Sequence, residues 1–160
     1  MATNSKVIEV VNRILDFPDL FKVNKQNHQD VREYFKSRFS CSHLPSDFIS
    51  FMEIIDGIQI GNFRIFSISD DKKSDLVLKY EDFSAPEVIY EYSEPFEVEI
   101  DKSNLFFFAS DKSNSRYGFI LNNTDKVYYL NPDNLATVIE FSSFIDLLSA
   151  KVEDYIEENI

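Results

Sequence analysis

Apolar residues recur at three- and four-residue spacing through the first third of the chain, and the period shortens after that. In "SKVIEVVNRILDF", Val7, Val10, Val11, Ile14 and Leu15 make one stripe, which predicts an amphipathic helix ended by Pro18. "NHQDVREYFKSRF" repeats Val31, Tyr34, Phe35 and Phe39 in the same way, with Asn27 as the expected cap of a second helix. "LPSDFISFMEIIDG", residues 44–57, sets Phe48, Phe51, Met52 and Ile55 at i, i+3, i+4 and i+7. A third helix is predicted over 45–56, with Pro45 near its start and Gly57 just past its end.

Beyond Gly57 the pattern alternates. "IQIGNFRIFSI" places Ile58 and Ile60, then Phe63 and Ile65, around Gly61-Asn62, which predicts a hairpin on a two-residue turn. Residues 70–103 are mixed: polar "SDDKKSD", a short helical pattern over 72–80, then acid-rich "EVIYEYSEPFEVEI". "NLFFFASD", "RYGFILN", "KVYYLN" and "ATVIEF" read as four strands separated by Asn, Asp and Ser, and such short connections favour antiparallel neighbours. The succession Phe106, Phe107, Phe108 predicts a strand buried on both faces. A last helix is expected from a cap at Ser142 through "SFIDLLSAKVEDYIEEN", with Phe144, Ile145, Leu148, Val152, Tyr155 and Ile156 as its apolar stripe. Helices first, strands next and a helix last define an α+β fold, a mainly antiparallel sheet of about 5–6 strands packed against N-terminal helices and a C-terminal one.

Composition narrows the picture further. The 160 residues suffice for one domain with a substantial core, and 44% are apolar and 15% aromatic, so a single globular domain over 1–160 is expected. The single cysteine, Cys41, rules out an intramolecular disulfide. "MATNSKVIEVVNRIL" lacks the basic-then-apolar profile of a signal peptide, and no apolar run approaches membrane-spanning length, so a cytoplasmic protein is expected.

Charge says more. Net charge is −12; residues 1–40 carry 7 basic and 5 acidic side chains, whereas residues 41–160 carry 9 basic and 23 acidic. Residues 80–101 hold Glu81, Asp82, Glu87, Glu91, Glu94, Glu97, Glu99 and Asp101 with no base among them. Such a surface repels a phosphate backbone and attracts a basic protein, so nucleic acid is excluded as a partner and these eight acids are the expected contacts.

No catalytic, metal or cofactor residue emerges. Cys41 and His43 share one short loop, which rarely supplies both adjacency and an orienting group. One Cys with His28 and His43 does not make a zinc set. "DKSNSRYGFILN", residues 111–122, has oxygen side chains at alternate positions, yet Arg116 and Asn122 stand where a calcium loop needs Gly and Glu. A turn between strands explains it better. Three glycines cannot build a phosphate cradle. A non-enzymatic protein is expected.

The order of these pieces resembles a known family. Leu44-Pro45, Phe48, Phe51-Met52 and Asp56-Gly57 are similar to the "LPxxYxxFLxxxNG" segment of the SMI1/KNR4 family, the SUKH superfamily. A strand like Ile65-Phe66 comes next. Then follow patterns similar to Leu105–Ser110 with Asp111, Tyr117–Leu121 and Val127-Tyr128-Tyr129, and a closing helix matched by Ile139, Phe141, Phe144 and Leu148. The resemblance spans residues 28–150 and implies helices packed on a mainly antiparallel sheet. It also implies a binding role. Many bacterial members resemble immunity proteins that neutralise toxins, often nucleases, whereas fungal members are regulators linked to cell-wall and glucan synthesis. The leading expectation is an immunity protein for a basic toxin, the alternative a regulatory scaffold in envelope control.

Overall fold

The computed structural model describes residues 2–25, 31–39, 44–67, 105–111, 116–120, 123–130 and 138–160. Among these residues four helices, α1 (Ala2–Leu15), α2 (Val31–Phe39), α3 (Ser46–Ile54) and α4 (Phe144–Asn159), accompany seven strands. The strands are β1 (Lys22–Lys25), β2 (Ile55–Ile60), β3 (Phe63–Ile65), β4 (Leu105–Ser110), β5 (Arg116–Ile120), β6 (Asn123–Leu130) and β7 (Val138–Phe141). They form one sheet in sequence order, every neighbouring pair antiparallel. The protein is α+β.

Helices cover one face of that sheet. Val7, Val11 and Ile14 of α1 are buried, as the stripe predicts, while Leu15 at the stripe's margin is more than half exposed. α1 packs on α3 and α4, α2 packs on α3, and α4 lies over β2, β6 and β7. The junction of these layers is aromatic. The ring of Phe48 lies 5.2–5.6 Å from those of Phe35, Phe108, Phe119 and Phe144. Phe108 stacks on Phe119 at 4.4 Å. A register shift between Phe107 and Ala109 sends both Phe108 and Ala109 into the core, while Phe107 is buried over Gly118. The strand is thus covered on both faces, as its sequence predicts.

Several local expectations need correction. Among the described residues the sheet has seven strands, one beyond the expected five or six, because β1, "KVNK", pairs with β2 despite lacking an apolar alternation. Gly57 does not end α3. The helix stops at Ile54, Ile55 turns extended, and the chain runs without a linker into β2. Gly57 lies inside that strand at φ +88°, where a Cβ would stand 2.8 Å from the Ile65 carbonyl oxygen and 2.9 Å from that of Phe66. The hairpin at Gly61-Asn62 does form, with Ile60 paired to Phe63 and Gly61 at φ +59°.

The cap of α4 is Ser143 rather than Ser142: Ser143 Oγ accepts from the Asp146 amide at 3.2 Å. Ser142 acts one step away, donating its hydroxyl to the Asp146 carboxylate, and this bond holds that carboxyl below its ordinary range. A second cap comes from another helix. Asp47, in the first turn of α3, accepts from the Ile145 amide at 3.1 Å through Oδ2 and from the Phe48 amide at 2.8 Å through Oδ1. One buried carboxylate thereby satisfies free amides of two helix starts. Nearby, fully buried Asp56 accepts from the Ser67 hydroxyl at 2.9 Å, tying the start of β2 to the end of β3. The short helix of 72–80 and the Asn27 cap lie outside the described residues.

Candidate functional site

The β2–β3 turn projects beside the C-terminal half of α4, and the space between them is a groove of about 660 Å³. Ile60, Gly61 and Phe63 supply one wall, Tyr155 of α4 the other. The close approach depends on Gly61: a Cβ there would stand 2.9 Å from the Tyr155 ring. The rim is acidic, with Asp111 at the end of β4 and Asp154 and Glu158 on α4.

A single lysine enters this setting. Lys151 Nζ lies 5.3 Å from the centroid of Phe63 and 5.4 Å from that of Tyr117, so one ammonium lies against two aromatic rings. Tyr117 is buried, and its hydroxyl donates to Asp111 Oδ2 at 3.4 Å. Burial, reinforced by the Asp111 charge, pushes the Tyr117 hydroxyl well above the ordinary tyrosine range. It therefore keeps its proton into the alkaline range where an ordinary tyrosine would lose it. The groove thus offers apolar surface from Ile60, Phe63 and Tyr155 and, among the described residues, three carboxylates against one ammonium.

The sequence-expected residues fall elsewhere. Glu81, Asp82, Glu87, Glu91, Glu94, Glu97, Glu99 and Asp101 lie outside the described residues, as do His28, Cys41 and His43. The polar stretch after Asp111 is flanked by paired strands β4 and β5, as expected for a connection between strands, and its residues 112–115 are outside the description. Among the described residues no group of three or more His, Cys, Asp or Glu side chains is arranged to hold a metal ion, and no helix is long and apolar enough to cross a membrane. The sequence pattern alone does not single out Lys151, Asp154 or Glu158. One signal points toward them: α4 ends in acids with no base in its last turn. No protein-family model matches the chain, and no curated protein matches it.

Proposed function

We propose that the chain is a non-enzymatic, cytoplasmic protein-binding module of SMI1/KNR4 type that neutralises a basic toxin, most simply a nuclease, by direct binding. The observation that carries this reading is charge. Beyond residue 40 there are 23 acids against 9 bases. A nuclease needs a basic surface to hold its substrate, so an acidic inhibitor is steered onto the face that does the damage. Complementary fields of this kind raise the association rate most at low salt, because exposed charges are screened over about 8 Å at physiological ionic strength. The family-like order of motifs over residues 28–150 supports the same role.

The test is capture of partners from the native host with the tagged full chain at low salt, followed by elution with rising salt. The reading requires a basic, stoichiometric partner that kills cells when expressed alone and is harmless when co-expressed with this chain. A stoichiometric partner that is an envelope or signalling protein without toxicity would replace it with the scaffold reading.

A further inference from the structure

We propose that the groove between the β2–β3 turn and α4 is the docking site for a lysine- or arginine-bearing segment of a partner protein, an inference that rests on the basic-partner reading and locates it. The first argument is charge complementarity. Asp111, Asp154 and Glu158 line the groove, and among the described residues Lys151 is the one cation that does. The apolar faces of Ile60, Phe63 and Tyr155 suit the methylene stem of a long cationic side chain, whose charged head then reaches the carboxylates. The second argument is that the site already takes a cation: Lys151 places its ammonium against Phe63 and Tyr117.

The third argument is local cost. A helix C-terminus carries partial negative charge and favours bases, yet the last turn of α4 has none and holds Glu157 and Glu158. Asp154 and Glu158 are also a like-charge pair at i, i+4, an unfavourable spacing on a helix. Arg13 neutralises Glu153 on the side of the helix facing α1, at 2.9 Å, whereas among the described residues no base pairs with Asp154 or Glu158. A local rule left largely uncompensated among the described residues, where Lys151 at i, i+3 to Asp154 is the one nearby base, fits a functional surface. An incoming cation supplies what α4 lacks. A second copy of this chain does not suit the groove, because each copy carries a net charge of −12.

The experiment is amide-resolved NMR titration of the full chain at low salt with a capped hexalysine peptide, and with capped hexaglutamate as the opposite charge. Docking predicts shifts centred on Gly61, Asn62, Asp111 and residues 151–158 with hexalysine, none with hexaglutamate, and loss of the shifts at high salt. Asp154→Asn with Glu158→Gln should weaken hexalysine about fivefold, the scale of two exposed charge contacts, while the melting temperature holds or rises. Lys151→Gln should tighten binding, because it removes the like charge. Shifts centred on residues 80–101 would overturn the groove and leave the basic-partner reading standing. Absence of shifts, shifts with hexaglutamate, or a fall in melting temperature with unchanged binding would also overturn the groove. The capture experiment decides the basic-partner reading separately.

Discussion

Replacing Asp47 should cost more stability than removing any exposed cap of the same helix. Its side chain is 8% exposed and its two oxygens accept from the Phe48 and Ile145 amides, 98 residues apart in the case of Ile145. A hydrogen bond to a charged group contributes about 1.5–3 kcal/mol, and a buried amide left without its acceptor costs about 1–3 kcal/mol. Asp47→Ala removes the carboxylate from both amides, and Ile145, itself buried, has little access to water. The expected loss is about 3 kcal/mol, a fall in melting temperature of roughly 6–12 °C for a chain of this size. Asp47→Asn keeps one carbonyl acceptor and should lose about half as much. The comparison is Ser143→Ala, which deletes the cap on the next amide and should cost about 1 kcal/mol. Urea unfolding of the three variants gives the order directly. If Asp47→Ala costs no more than Ser143→Ala, the buried carboxylate is not what joins α3 to α4, and the reasoning fails.

Gly57→Ala should destabilise the fold by about 2–4 kcal/mol in urea unfolding, because it combines left-handed strain with a Cβ pressed on two backbone carbonyls. Gly61→Ala should cost less, since the atom it meets belongs to the movable ring of Tyr155. Tyr117 predicts an alkaline limb: the folded chain keeps this proton where the unfolded chain releases it near pH 10, so stability is intact below that pH and falls above it. Tyr117→Phe should flatten that fall in urea midpoints measured on either side of about pH 10, and an unchanged slope would refute the assignment.

The elements legible in the sequence are those whose burial follows one period. α1, α4 and the hairpin at Gly61-Asn62 are examples, since Val7, Val11 and Ile14, or Leu148, Val152 and Ile156, must share a side to be buried together. Errors came where tertiary pairing overrides local pattern. β1 has no apolar alternation and exists because β2 offers it an edge. Gly57 looks like a helix stop from its neighbours, yet what requires glycine there is the approach of the Ile65 and Phe66 carbonyls from the next strand. Asp47 reads as an ordinary first-turn acid of α3, and only the packing of α4 reveals its second partner.

The groove was illegible for a similar reason, since Gly61, Asp111 and Asp154 come from three distant segments. What the sequence does carry is an asymmetry within α4. Asp146 sits in the first turn, where the helix dipole welcomes an acid and Ser142 and Ser143 hold it. Asp154, Glu157 and Glu158 sit toward the opposite end, where the same dipole opposes them. Solubility needs acids somewhere on a surface, but it gives no reason to gather them at the unfavourable end of a helix beside a groove. The proposed docking of a cation does. If the proposed docking holds, neutralising Asp154 and Glu158 should leave the fold as stable or more so while weakening binding of a basic peptide, a combination that a purely structural role for these acids does not produce.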